Sequence, residues 1–422
     1  MRFFGWLAAT YGDVAMASIG DRALVLLSHP DLIRELLVTQ HRNFTKSRTL
    51  QRASILLGQG LLTSEGELHL RQRRLMQPAF HRDRITAYAR VMIELSERTS
   101  ARWSPGTIVD AHSEMMRLTL SIAALTLFSA RVENEADEIG SALTTVMNAF
   151  GRLNAPWGPI LDRLPLPSTR RFESARDRLE LTIYRIIAER RATGEVRDDL
   201  LSMLLSARDL DAGTDEGMSD RQLRDEVLTL FLAGHETTAN ALTWTWLLLA
   251  EHRDVEERLQ AELLAVLGGR APTPDDVPAL AYTRRVLAES MRLYPPAWVV
   301  GRQAIGDCEI GGCRIPAGAM VFASQWIVHR DARFFVNPLQ FDPDRWAPER
   351  EDAVPRHAYF PFGAGTRKCI GEGFAWTEGI LVLASLARRW RLRRTDNLPV
   401  VPRSLITLRP GRPLPMRLDP VR

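Results

Sequence analysis

A mainly α-helical fold with small β-sheets is the class this sequence predicts, and three observations predict it. From about residue 84 to 270, apolar residues recur three and four apart with charges between them, the spacing of helices that turn one face inward. Alternating stretches that read as strands are short, at residues 14–27 and around residue 310. The 422 residues are 45% hydrophobic and 25% charged, enough for a substantial core, which excludes disordered and fibrous classes.

The elements follow in order. MRFFGWLAATYGD opens with an apolar run too brief to span a bilayer and without a signal-peptide cleavage site. Residues 14–27 predict two strands turning at Gly20-Asp21, and Ser28-His29-Pro30-Asp31 predicts a cap for a helix from about Leu32. The helical middle is interrupted at residues 155–167 and by the acidic stretch DLDAGTDEG at 209–217, both candidate mobile loops. CEIGGCRIPAGAMVF predicts a hairpin turning at Gly311-Gly312. Its register sets Ile310 opposite Cys313, so Cys308 and Cys313 are not expected to bridge. A last helix is expected from about Glu372 to Trp390. No repeat or linker offers a cut point, so residues 1–422 are expected to form one domain.

Charge and cysteine content narrow the classes further. The net charge of +4 is spread along the chain among interspersed acids, so nucleic acid is not implied. Three cysteines cannot make a disulfide framework, which fits a reducing compartment and a soluble cytoplasmic monomer.

FPFGAGTRKCIG, residues 360–371, carries the first chemistry. A thiolate is the metal-ligating form of cysteine, and Arg367, Lys368, loop N–H groups and the following helix N-terminus are expected to favour it at Cys369. Gly363, Gly365 and Gly371 clear space for a flat ligand, and the Arg367 fork suits a carboxylate. Haem has both a flat iron face and carboxylates. The bland alternative, a buried structural cysteine, does not explain these neighbours.

LFLAGHETTANAL carries the second. A mid-helix glycine, Gly234, costs about 1 kcal/mol relative to alanine, so the site calls for close approach or local distortion. Thr237 and Thr238 can bond back to helix carbonyls and help open it. His235 and Glu236 interrupt the run too early for a membrane span, and a zinc motif fails because position 239 is alanine.

The pattern F-G-x-G-x-R-x-C-x-G, filled by Phe362, Gly363, Gly365, Arg367, Cys369 and Gly371, resembles the haem-binding loop of the cytochrome P-450 monooxygenases. Further family motifs recur in order: Glu289 and Arg292 at E-x-x-R spacing in VLAESMRLYPP, Arg345 in FDPDRW, and the acid-alcohol pair Glu236-Thr237. The resemblance covers almost the whole chain. It implies one triangular, helix-rich domain with haem b between a long central helix and the cysteine loop. Cys369 would be the axial iron ligand, Phe362 and Gly363 would cradle the ring, and Glu289, Arg292 and Arg345 would form a buried supporting network. His69, Arg73, Arg302 and Arg367 would face the propionates, with histidine at 69 where the family more often has tryptophan. Dioxygen cleavage needs two delivered protons, which implies Thr237 as the positioned hydroxyl and Glu236 as its feeder. His235 is given no chemical role.

The resemblance also implies dioxygen as co-substrate. No flavin or iron–sulfur motif is present, so electrons are expected from NAD(P)H through an external partner. A small acidic ferredoxin or flavodoxin is expected on a basic face near Arg71, Arg74 and Lys368. The expected pocket segments, roughly residues 50–62, 146–161, 230–238, 297–300 and 404–407, are mostly apolar; Ala233, Gly234, Thr238, Val299, Val300, Leu405 and Ile406 are the candidate lining. A hydrophobic substrate follows, with fatty acids or terpenoids favoured, for hydroxylation or epoxidation. A peroxide-driven haem-thiolate enzyme and a non-catalytic haem sensor or carrier are the alternatives.

Overall fold

The computed structural model describes residues 1–20, 22–130, 136–153, 166–207 and 217–421. Both loops expected to be mobile, and the second half of the pocket segment at 146–161, fall largely outside those residues.

Helices dominate, and five of them frame the site: α1 (Gly66–Met76), α2 (Ala111–Phe128), α3 (Asp220–Glu251), α4 (Ala281–Leu293) and α5 (Glu372–Ala387). Helix α3 is the longest among the described residues. Its 32 residues correspond to about 48 Å of axis. A capping box starts it, Ser219 accepting from the Gln222 N–H and Gln222 accepting from the Ser219 N–H. From Leu223 to Leu249 it is buried on nearly every side, including Trp244 and Trp246, so it runs through the core. Helix α4 stops at Leu293, where Tyr294 precedes Pro295 and leaves helical geometry. Helix α5 ends at Ala387 rather than at Trp390, which instead opens a strand; Trp390 packs edge-on against Trp103 and donates to Ser100, contacts that an extended backbone reaches.

Five strands form the main sheet: β1 (Val14–Ile19), β2 (Arg22–Leu27), β3 (Phe44–Lys46), β5 (Val300–Ala304) and β8 (Met320–Ala323), in the order β1-β2-β8-β5-β3. The expected hairpin at residues 14–27 forms, with Val14 opposite Leu27. The following short helix starts at Pro30, two residues early, because the His29 side chain, not Ser28, accepts from the Asp31 N–H. Antiparallel pairing of β3 with β5 sets Lys46 opposite Arg302, and this register matters below. Strands β6 (Cys308–Ile310) and β7 (Cys313–Ile315) make the expected hairpin at Gly311 and Gly312, both with positive φ. Ile310 faces Cys313, and both cysteines are free. Strand β4 (Ile108–Asp110), not foreseen in the helical middle, joins β9 (Trp390–Arg394) and β12 (Pro415–Pro420) in a three-stranded sheet. A last hairpin, β10 (Pro402–Ser404) with β11 (Leu408–Pro410), lies against α3.

Among the described residues, no helix is long and apolar enough to cross a membrane.

Candidate active site

A cavity of about 680 Å³ lies between α3 and the loop before α5. Thr237, Thr238, Gly234 and Ala233 line it from α3; Phe362, Gly363 and Cys369 line it from the loop. Val299, Val300, Leu405 and Ile406 supply further apolar wall, so the candidate lining residues are all brought together.

Local backbone chemistry explains how the loop holds Cys369. The Cys369 N–H donates to the Phe362 carbonyl at 2.9 Å, closing the loop, and the Gly363 N–H donates to Phe360 O at the same distance. Gly363 has a φ of 71° and Gly365 one of 70°, left-handed values that favour glycine. At Gly365 a side chain would also strike the Leu37 carbonyl. That glycine therefore serves backbone packing, not the clearance of a flat ligand expected from sequence. Cys369 is accessible only on the side that lines the cavity and is packed in protein on the others. Its thiol is not predisposed to ionise: burial pushes its pKa up, against the pull of the Gly371 N–H, Arg73 and Lys368. The expected local stabilisation of a thiolate is thus outweighed, and a bound metal ion would have to draw the proton off.

On α3, hydroxyls capture helix carbonyls around Gly234. Thr237 Oγ1 donates to Ala233 O at 2.7 Å, Thr238 Oγ1 to Gly234 O at 3.4 Å, and Thr119 Oγ1 of α2 to His235 O at 3.0 Å. Close approach does not explain the glycine, since a Cβ on Gly234 would meet only Ala123 at 3.8 Å and Leu127 at 4.0 Å. Glu236 points away from the cavity. Its carboxylate accepts from Thr407 and, at 2.7 Å, from Arg409 Nε, both buried. His235 is likewise buried behind α3 with Nδ1 on the Phe231 carbonyl at 2.5 Å. Behind Thr238 the Glu378 carboxyl is fully buried, and burial pushes its pKa well above the usual carboxylate range.

One rim of the cavity is crowded with positive charge. His69, Arg73, Arg302 and Arg367 all line it. So does Lys46, which the sequence reading missed. Its Nζ donates to the carbonyls of Leu61 at 2.9 Å and Ser64 at 2.6 Å. Burial and then Arg367 lower its pKa to about 7; burial and Arg367 hold His69 at about 3; burial and Arg367 bring Arg302 to about 10. The carboxylate among these groups is Glu65, which pairs with Arg367 and accepts from the Lys46 N–H at 2.6 Å. Four cations facing one acid leave positive charge to be matched, and haem with its two propionates fits that deficit. A signal for Lys46 was present: Lys46 and Lys368 are the sole lysines in a chain otherwise using arginine. Arg73 donates to the Lys368 carbonyl at 2.8 Å, tying α1 to the cysteine loop. Arg71 turns the other way, into a separate cleft with Arg190 and Gln222, so it does not join Arg73 and Lys368 on one face.

The three residues assigned to a supporting network do meet. Glu289 and Arg292 form a bidentate pair at 2.8 Å with both side chains fully buried. Arg345 Nε lies 3.3 Å from Glu289, and Trp346 Nε1 donates to it at 3.0 Å. Arg292 also donates to the carbonyls of His329 and Pro338 at 2.6 and 2.7 Å. His329, unassigned from sequence, accepts the Phe360 N–H at 3.1 Å on Nε2 and so reaches the start of the cysteine loop.

Comparison with known proteins accords with this geometry. The family model Cytochrome P-450 matches residues 1–414. The chain is 43% identical over its full length to cyclooctatin synthase of Streptomyces melanosporofaciens, and 40% identical to cyclooctat-9-en-7-ol 5-monooxygenase of the same organism, covering 91% of each. It is 39% identical to pentalenene oxygenase of Streptomyces avermitilis over 99% of its length and 92% of that protein. Among solved structures, the cytochrome P450DA heme domain superposes with a TM-score of 0.90 at 29% identity, covering all of this chain and 93% of that one. Haem and dioxygen are the cofactor and co-substrate of such proteins, and a hydrophobic substrate and a redox partner go with them. With its cysteine loop, hydroxyl-lined central helix and cation-rimmed cavity between them, the chain belongs to the cytochrome P-450 family and is a monooxygenase.

Proposed function

We propose that this monooxygenase hydroxylates or epoxidises a cyclic terpenoid. The observation that carries the proposal is the cavity: beside its cations, much of its lining is aliphatic, from Leu127, Leu230, Val299, Val300, Leu405 and Ile406. A bulky hydrocarbon loses water favourably against such a surface, at about 25 cal/mol per Å² buried. Relatives named for terpenoid oxidation support the class.

Haem, when bound, would supply the iron at which dioxygen is activated, and a cysteine thiolate on that iron favours dioxygen scission. Cys369 would bind its iron, and Phe362 and Gly363 would help hold it. Lys46, His69, Arg73, Arg302 and Arg367 would hold its carboxylate edge. Thr237 would present a hydroxyl into the cavity and Glu236 would supply it with protons. Glu289, Arg292 and Arg345 would keep the cysteine loop in register. Residues 1–422 would act as one domain, and the free cysteines suit the cytoplasm.

The test is an absorbance titration of haem-loaded protein with pentalenene, a long-chain fatty acid and a steroid. A terpenoid should shift the haem spectrum saturably; a shift with the fatty acid alone would overturn the substrate class. Electrons would come from NAD(P)H through an acidic ferredoxin or flavodoxin docked near Arg74 and Lys368, both exposed, Arg74 following the Arg73 that donates to the Lys368 carbonyl. Reduction rates insensitive to salt and to Arg74→Glu would count against that partner.

A further inference from the structure

Trp376 stands between the cavity and the protein surface. It lies on the second turn of α5 and lines the cavity on the side of the cysteine loop, its ring 5.8 Å from that of Phe362. The indole is half-buried and packs against both the helical core and the cluster of Ala288, Phe335, Trp346 and Ala358, so its position is fixed. Arg284, an exposed residue of the first turn of α4, sets its guanidinium over the same ring, 5.0 Å from the centroid. A single side chain therefore reaches from the cavity to a surface arginine. Stacking occupies the face of that guanidinium and leaves the N–H groups at its edge for an anion. Among the described residues no acid pairs with Arg284. Lys368 differs, because Glu372 holds it, and Glu372 lies one turn before Trp376 on the same face of α5. Lys368, Glu372, Trp376 and Arg284 thus form one strip beside the cysteine loop, with its uncompensated charge at the Arg284 end.

We infer that an acidic electron-transfer protein docks on this strip with a carboxylate on Arg284, and that the Trp376 indole is the path by which its electron crosses into the cavity. The inference rests on the reading that electrons come from such a partner. Charge complementarity selects it: a free guanidinium edge takes a carboxylate in a fork, and an acidic surface is steered to it from a distance. Electron transfer between fixed centres slows steeply as the gap of non-bonded contact between them widens. A conjugated ring that touches the cavity on one side and the docking surface on the other narrows that gap. One electron leaves the partner, which is oxidised, and the cofactor is reduced; no bond or proton changes hands, and Trp376 ends as it began. Arg284 is a docking residue only. The alternative, that Trp376 merely fills the junction of two clusters, predicts no difference between reductants, and the test turns on that.

The test uses the haem-loaded full chain and a small acidic iron–sulfur ferredoxin with its NADPH-dependent reductase. Calorimetric titration with the oxidised ferredoxin should show Arg284→Glu binding roughly fivefold more weakly at low salt, the size that loss of one well-placed exposed ion pair implies. Added salt should shrink that difference. Stopped-flow reduction under carbon monoxide, at saturating ferredoxin, should be slowed in Trp376→Leu and restored in Trp376→Phe, which keeps a ring. Dithionite, which needs no docking, should reduce all three at one rate and give one carbon monoxide spectrum. A Trp376→Leu variant reduced by ferredoxin as fast as the wild type would overturn the path, and so would an equal slowing with dithionite. Unchanged affinity in Arg284→Glu would overturn the docking site. A wild type that neither binds the ferredoxin nor is reduced by it overturns the acidic partner and this strip with it. A wild type that does both, with variants that match it, overturns the strip and the path alone.

Discussion

At Cys369 the surroundings work against the charge that iron ligation requires, since burial outweighs the neighbouring cations and N–H groups. The cation rim adds charge that would help hold the cofactor's carboxylates. Lys46 differs from the arginines around it because an ammonium can shed its proton when buried, whereas a guanidinium cannot. Carboxylates arriving beside it would restore its charge and gain a charge-assisted bond. Lys46→Met is expected to speed haem transfer to excess apomyoglobin roughly tenfold; an unchanged rate would remove Lys46 from the cofactor's partners. Thr237 is the other residue with a separable effect. Thr237→Ala should retain the thiolate-type carbon monoxide spectrum while diverting most reducing equivalents to peroxide. Fully coupled turnover in that variant would count against its role.

Among the elements, α4 shows why a spacing of three can be more than a surface pair. An exposed Glu–Arg pair contributes under about 1 kcal/mol. Here the pair is fully buried, and Arg292 spends its remaining donors on carbonyls of the stretch from His329 to Gln340, pinning an irregular segment that has no ladder of its own. Arg292→Leu would leave Glu289 buried and short of its main partner, at a cost of about 3–5 kcal/mol. Thermal unfolding of the purified variant should show that loss together with poor haem incorporation, because the same segment leads through His329 to Phe360 and the cysteine loop. The strap at residues 58–65 is held comparably. Asp225 and Glu226 of α3 accept the N–H groups of Gln59 and Leu61, both at 2.8 Å.

Over the whole molecule, the pH dependence of stability carries a mark of that strap. Burial, as the largest cause, raises the Glu226 pKa to about 8. Between its ordinary value near 4.5 and about 8, the folded protein holds a proton there that the unfolded chain has lost. Folding is therefore weakened as pH rises through that window, by up to about 1.4 kcal/mol per unit, and the effect is flat below and above it. Glu226→Gln stays neutral throughout. Its unfolding free energy minus that of the wild type should grow from pH 4.5 to 8, and a difference that is constant or shrinks across this range would contradict the assignment.

Sequence alone determined the helical class, the end of α4 at Tyr294, the hairpins at Gly20 and Gly311, and the membership of the cysteine loop, because these depend on local periodicity, turn chemistry and short fixed spacings. The meeting of Glu289 with Arg345 was legible through motif resemblance, as was the apolar lining from four distant segments. Lys46 was not, since what makes it a site residue is the β3–β5 register that sets it beside Arg302 and the strap that removes it from water. The direction of Glu236 was equally hidden. Neighbours on a helix point about 100° apart, so adjacency to Thr237 gave the spacing of an acid and an alcohol but not the face each would occupy. That was decided by Arg409, 173 residues away, whose guanidinium offers the buried carboxylate a stronger partner than the cavity does.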